Sequence, residues 1–430
     1  MKKVLIITYY WPPSGGAGVQ RWLKFSKYLP EYGVDPFVLT VDPDFATYPQ
    51  LDKSLSHEIP SDLKVFKTKS FEVLGIFSRL FGKDKVPYGG FSNVDKTSFV
   101  QTILRFIRGN FFIPDARIGW NNYAFEKATE LIRIHDIETI ITTGPPHSTH
   151  LAGLKLKREL DINWIADFRD PWTDIYYYKD MLHTPFARMI DRNKEIKVLD
   201  SADIVITNCN SNRDLLASKI DERDLSKFKI ITNGFDAGDF NIPLIPPGEF
   251  VVTYSGTMSD HYNPQVFFNA LQKLIKNNPD IIFKFFLAGN ISSSAERLIR
   301  QSGIEFEYPG YVNHSKLAEY LKISSALLYI FPETLNDKGV AGKLFEYLAV
   351  NRPVIAIGPT DSDASAIIEE CEAGKSFTRE DEKGILTYMQ DIVDIFRDNG
   401  EVITGNGKYL NYSRQQLTAS LAQIIKDLSS

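Results

Sequence analysis

Val4-Leu5-Ile6-Ile7-Thr8 followed by Trp11-Pro12-Pro13-Ser14-Gly15-Gly16-Ala17-Gly18-Val19-Gln20-Arg21 reads as an apolar strand, a loop rich in proline and glycine, and the start of a helix. Strand, small-residue loop and helix together open a doubly wound α/β domain. The order returns at Val251–Ser255, where Gly256-Thr257-Met258 follows the apolar run.

Outward from the first unit, short apolar runs alternate with amphipathic stretches. Strands are expected at Val4–Thr8, Pro36–Val41, Leu63–Lys67, Thr139–Thr143, Trp164–Asp167, Ile204–Thr207 and Lys229–Ile231. A second series is expected at Val251–Ser255, Ile281–Ala288, Glu305–Tyr308, Ala326–Ile330, Pro353–Ile357 and Lys375–Phe377. Helices are expected over Gly18–Glu31, Pro264–Lys276, Lys316–Ile323 and Val340–Ala349. The fold class is therefore α/β, two tandem Rossmann-like domains facing a central cleft. The first domain is expected over 1–241 and the second over 250–412. Ile242–Gly248, with three prolines and a glycine, suits the linker. A last helix over 413–430 would pack on either half.

The 430 residues allow two domains, and 43% apolar with 24% charged is ordinary globular usage. A net charge of −5 argues against nucleic acid as a partner. Cys209 and Cys371 form no metal or redox pattern and fit a reducing compartment. The apolar N-terminus is followed at once by Pro12 and Pro13, so it reads as a strand rather than a signal peptide. No apolar run approaches the ~20 residues that span a bilayer. The expectation is a cytoplasmic protein, at most peripheral at the inner membrane face.

Residues 70–120 interrupt the alternation. Phe71, Leu74, Ile76, Phe77, Leu80 and Phe81, then Phe99, Ile103, Leu104, Phe106 and Ile107, are interleaved with Arg79, Lys83, Lys85, Arg105 and Arg108. Such composition suits peripheral contact with anionic lipid; an ordinary lid packing its apolar face on the domain is the alternative.

Candidate chemistry gathers at strand ends. Gly15, Gly16 and Gly18 allow close backbone approach to a sugar or phosphate, but Arg21 stands where a dinucleotide site needs its third glycine. His147, after Gly144-Pro145-Pro146, is placed to bond a sugar hydroxyl or move a proton. Asp167-Phe168-Arg169-Asp170-Pro171-Trp172 brings charges to the next strand end, where Arg169 would pair with a neighbouring aspartate or bind an anionic substrate. Asn233-Gly234 suits a turn beside the linker. The loop at Gly256 and Thr257 offers amides to a phosphate but no basic side chain. In Asn336-Asp337-Lys338-Gly339-Val340-Ala341-Gly342-Lys343-Leu344-Phe345-Glu346, a glycine-rich loop opens a helix. Lys343 and the amides near Val340 would hold a diphosphate, and Glu346 a ribose.

These motifs, in this order, resemble the family-4 group of retaining glycosyltransferases, which have the GT-B fold. The resemblance implies a nucleoside-diphosphate-sugar donor, UDP- or GDP-linked, bound mainly by the second domain. It implies a glycan or lipid-linked acceptor on the first domain, hexosyl transfer with retention, and a role in surface polysaccharide synthesis. No metal or resident cofactor is implied, the nucleotide-sugar being a co-substrate. Glu346 looks like the second glutamate of the family's Glu–seven residues–Glu signature, Lys343 like a diphosphate ligand, His147 like the histidine near the transferred sugar, and Gly16 like the loop contacting diphosphate or acceptor. Arg21, Asp167, Arg169 and Asp170 fall on the acceptor side. Two departures stand out: Lys338, beside Asp337, occupies the place of the first glutamate, and no Arg or Lys follows Gly256. Lys338 would then join Lys343 on the phosphates. A UDP-sugar 2-epimerase of the same shape and a non-catalytic sugar-nucleotide binder are the alternatives.

Overall fold

A computed structural model describes residues 1–72, 99–175, 178–220, 225–240, 248–333 and 338–428. The expected linker at 242–247, the stretch 73–98 of the insertion, and Asn336 and Asp337 lie outside the described residues, as do the side chains of Phe99 and Leu104. The chain divides into two compact units, Met1–Thr232 with Gln415–Ser430, and Asn233–Arg414. The division falls at Thr232/Asn233, ahead of the expected boundary at 241.

Among the described residues the first unit holds seven strands: β1 (Lys2–Ile7), β2 (Val34–Val41), β3 (Lys64–Thr68), β4 (Thr139–Gly144), β5 (Asn163–Phe168), β6 (Ile204–Thr207) and β7 (Phe228–Ile230). They form one parallel sheet in the order β3-β2-β1-β4-β5-β6-β7. Its helices are α1 (Ala17–Tyr28), α2 (Phe99–Phe111), α3 (Asn121–His135), α4 (Ser148–Glu159), α5 (Pro185–Ser201) and α6 (Asn210–Ala217). Both faces of the sheet are covered at its centre, so β1, β2 and β4 to β6 carry near-continuous buried runs, while the edge strand β3 (Lys64–Thr68) stays partly exposed. In β1, Leu5 and Ile7 enter one core and Val4 and Ile6 the other, because successive side chains point to opposite faces.

The second unit holds β8 (Phe250–Ser255), β9 (Phe283–Ala288), β10 (Phe306–Gly310), β11 (Ala326–Ile330), β12 (Val354–Ile357) and β13 (Gly374–Phe377), again all parallel, in the order β10-β9-β8-β11-β12-β13. Its helices are α7 (Gln265–Asn277), α8 (Ser293–Gln301), α9 (His314–Lys322), α10 (Lys343–Ala349), α11 (Asp363–Glu370) and α12 (Glu382–Asn399). Phe267, Leu271 and Leu274 of α7 and Met389, Val393 and Phe396 of α12 close one face over Phe250, Val252 and Phe285.

The last helix, α13 (Arg414–Leu428), belongs to the first unit. Leu417, Leu421 and Ile425, four residues apart, line one stripe and pack with Val4, Ile6 and Val34. Among the described residues no helix is long and apolar enough to cross a membrane.

Strand order reverses between β1 and β4 in the first unit and between β8 and β11 in the second. Ligands of open α/β sheets bind outside the carboxyl ends of strands at such switch points. The loops after β1, β4, β8 and β11 are the ones that carry the glycines, His147 and Lys343.

Candidate functional site

In the second unit, β8 is followed by Gly256, whose φ of +101° strongly favours glycine. Gly256 and Thr257 face solvent. A Cβ on Gly256 would lie 3.8 Å from Cδ of Lys343, so the lysine stem runs over this turn. The ammonium sits 3.8 Å from the ring centre of Tyr254, 5.3 Å from that of Tyr329 and 5.8 Å from that of Tyr262. The rings of Tyr254 and Tyr329 are fixed by their own hydroxyls. Tyr254 donates to the Thr257 carbonyl at 2.8 Å, and Tyr329 accepts the Ala341 amide at 3.0 Å. Below them Tyr347 accepts the Ser255 amide at 2.9 Å and donates to the Leu328 carbonyl at 3.2 Å, tying the ends of β8 and β11 together.

Burial pulls the Lys343 ammonium down to about 7, against a weaker opposing pull from Glu346. Lys343 makes no ion pair among the described residues. An anion placed beside it would meet a cation held by ring faces, with only a weak pull from Glu346 to compete with.

Glu346 does not pair with Lys343, as a simple one-turn spacing suggests. Its Oε1 lies 3.4 Å from Nδ1 of His314, whose Nε2 lies 3.0 Å from Oδ2 of Asp239. Burial pushes the Glu346 carboxyl up, while His314 and Arg414 pull it down, Asp239 pushes it up and Lys343 pulls it down. Lys338 is exposed and its ammonium pairs with Asp361, while its carbonyl accepts the Asp363 amide at 3.0 Å. The structure therefore engages Lys338 elsewhere than in the ring cage of Lys343. The expected helix over Val340–Ala349 begins only at Lys343: Val340 is buried in the preceding loop, and the Ala341 amide goes to Tyr329 rather than into a helical turn.

In the first unit, Gly15 donates its amide to the Gln50 carbonyl at 3.0 Å, and Gly16, φ +110°, precedes the first turn of α1. Gly18 makes room for a guanidinium: a Cβ there would lie 1.7 Å from Nη1 of Arg169, which would have to move aside. Arg169 donates from Nε to Thr143 Oγ1 at 3.2 Å and from Nη2 to the Pro145 carbonyl at 2.6 Å. It thus bridges the loops after β1 and β4.

Arg21 and Asp167 correct the sequence reading. Their ion pair is 3.1 Å long with side chains 1% and 0% exposed. Arg21 also donates to the carbonyls of Thr232 and Ile231, and Asp167 accepts from Trp22 Nε1 and Thr143 Oγ1, both at 2.9 Å. No face of this pair is left for an acceptor. It fixes α1 against the ends of β4 and β5, and so positions the glycine loop. Asp170 stays half-buried beyond it, its carboxyl pushed up by burial and pulled down by Arg169.

His147 stacks on Trp172, centres 5.2 Å apart and planes 8° apart. Burial, then His150, Arg169 and Lys219, hold its pKa well below the usual histidine value, so the ring is neutral at physiological pH. The start of α4 behind it is capped by Asp115, which accepts the Ser148 amide and hydroxyl at 2.8 Å each. Asp115, His314, Asp239 and the three tyrosines were not singled out from the sequence. Tyrosine on a strand reads as core, and pairings between distant segments leave no local signal.

Residues 249–395, about a third of the chain, match the family model described as glycosyl transferases group 1. No curated protein matches. Among solved structures, the sucrose-phosphate synthase of Thermosynechococcus elongatus is similar at 12% identity and TM-score 0.62, covering 100% of this chain and 99% of its own. A candidate UDP-N-acetylglucosamine 2-epimerase from Listeria monocytogenes gives 10% identity and TM-score 0.57, with 100% and 97% covered. S. aureus TarM, as a variant in complex with fondaparinux, α-GlcNAc-glycerol and UDP, gives 12% and 0.55, with 100% and 97% covered. Two tandem parallel α/β units, matched over their whole length by such structures, make this a GT-B-fold chain whose second unit carries the group 1 glycosyl transferase signature.

Proposed function

We propose that the chain moves a hexosyl group from a UDP- or GDP-linked sugar to a glycan or lipid-linked acceptor, with retention, on the cytoplasmic side of surface polysaccharide synthesis. The observation that carries the reading is Lys343. It is held over the solvent-facing Gly256–Thr257 backbone in a ring cage, without an ion pair among the described residues. As the bond between the sugar's anomeric carbon and the diphosphate oxygen breaks, negative charge grows on the leaving diphosphate. Lys343 and the Thr257 amide meet that charge, the Gly256 amide being donated to the Ala288 carbonyl at 2.8 Å, and such fixed donors commonly supply the largest share of catalysis. Glu346, positioned by His314, takes the ribose hydroxyls. In the first unit, the Gly16–Gly18 loop, Arg169, Asp170 and neutral His147 take the acceptor and the transferred sugar. The proposed chemistry uses no metal: the protonated Lys343 ammonium, with the Thr257 amide, answers the diphosphate's charge.

A thermal-shift series over UDP-, GDP-, ADP- and CMP-sugars finds the donor, since a ligand of the native state stabilises by mass action. Nucleoside diphosphate released only with acceptor present supports transfer. The likeness to an epimerase structure makes the second reading concrete: sugar interconversion without acceptor would replace transfer by epimerisation. Binding without turnover across acceptors would leave a sugar-nucleotide binder.

A further inference from the structure

Helix α2 is packed inside out. Its protein-facing side carries Arg105, which is buried, and Gly109, where a Cβ would lie 2.2 Å from the Met181 carbonyl oxygen. Its outward side carries Ile103, Phe106, Ile107 and Phe111, between 40% and 73% exposed. A helix on the surface of a globular protein shows the reverse arrangement. The inversion is anchored: Asn110 donates to the Leu182 carbonyl at 3.1 Å and accepts the Thr184 amide at 2.7 Å, while Lys194 of α5 donates to the Ile113 carbonyl at 2.7 Å.

The first turns of α5 extend the same character. Phe186 and Met189, three residues apart, are 67% and 52% exposed. Arg188 and Arg192 beside them are exposed too. The acidic residues of these turns point the other way. Asp191 accepts from Trp172 Nε1 and Tyr178 Oη at 2.8 Å each, and Glu195 accepts from Thr173 Oγ1 at 2.5 Å and Lys219 Nζ at 2.7 Å. Helix α2 itself has no carboxylate, and Arg108 is its one arginine that is not buried. A chain of net charge −5 thus presents one face that is apolar and cationic.

We propose that α2 and the start of α5 form a docking face for an anionic lipid bilayer. Phe106, Phe111 and Phe186 enter the boundary between headgroups and acyl chains, and Arg108, Arg188 and Arg192 meet lipid phosphates. The sequence pointed only to the insertion; the inverted packing of α2 and the contribution of α5 come from the structure. The inference is independent of the transferase reading.

The test is flotation of the whole protein with vesicles of phosphatidylcholine, alone or with about 30 mol % phosphatidylglycerol. Wild type is expected to float with the anionic vesicles and to be partly released by high salt. Phe106→Asp combined with Phe186→Asp, both at exposed sites, is expected to weaken partitioning at least about tenfold at unchanged Tm. Wild type staying behind with both vesicle types, or a double variant that floats as well as wild type, overturns the proposal. A wild-type dimer that ignores vesicles and that the same substitutions dissociate overturns it too, assigning the face to a second copy of the chain.

Discussion

The imidazole of His314 stands between two carboxylates, 3.4 Å from Glu346 and 3.0 Å from Asp239. An arrangement of this kind fixes the direction of the Glu346 oxygens, and His314 pulls the carboxyl down against the larger upward push of burial. His314→Ala should leave Glu346 free to turn and to take up a proton. A hydrogen bond to a charged group is worth about 1.5–3 kcal/mol, so donor Kd should rise roughly tenfold or more. Calorimetric titration of the donor reads this directly. Unchanged affinity would remove His314 from the site.

Lys343 gives two pH dependences of opposite sign. Its folded-state pKa, about 7, lies below the ordinary lysine value, so between about pH 7 and 10 the unfolded chain binds the proton that the folded chain has lost. Stability of the free protein from this group therefore rises with pH across that window. Donor affinity should fall across it, because the diphosphate needs the protonated ammonium. Titration at pH 7 in buffers of different ionisation enthalpy should show proton uptake on donor binding. Lys343→Met should abolish the uptake and lower kcat/KM by about 100-fold or more.

Two charged residues that look alike in sequence should behave very differently. Asp167→Ala strands the Arg21 guanidinium in a buried site, and breaking such a pair costs about 3–5 kcal/mol, visible as a lower urea midpoint. Lys338→Ala breaks an exposed pair with Asp361, so stability and donor affinity should both move by less than about 1 kcal/mol.

These contrasts show where the sequence was legible. Apolar runs of strand length and the loops between them placed the strands, because parallel sheets covered on both faces leave near-continuous apolar runs; the strand order and its two reversal points came from the structure. The glycines, His147 and Lys343 could be located because strand ends are readable and switch points bind ligands. The destination of a charge was not readable. Arg21 and Asp167 meet across most of the first unit, and nothing local marks them as partners of each other rather than of a ligand. Lys343 and Glu346 share a helix, yet one turns into a ring cage and the other toward His314 from α9. Only tertiary packing decides between them.

Gly18 and Arg169 supply the sharpest test of the first unit. A methyl group at Gly18 would meet Nη1 at 1.7 Å, so Gly18→Ala must displace the guanidinium from Thr143 and Pro145. Overpacking of this kind costs about 1–3 kcal/mol. Removing the obstacle in the double variant Gly18→Ala, Arg169→Ala should recover much of that loss, a coupling that a double-mutant cycle in urea measures. Transfer separates two roles for Arg169. If it only spaces the loops, kcat/KM returns with stability in the double variant. If it holds an acceptor anion, as the reading above requires, acceptor KM stays raised after stability has recovered, and a fully active double variant would remove Arg169 from the acceptor site.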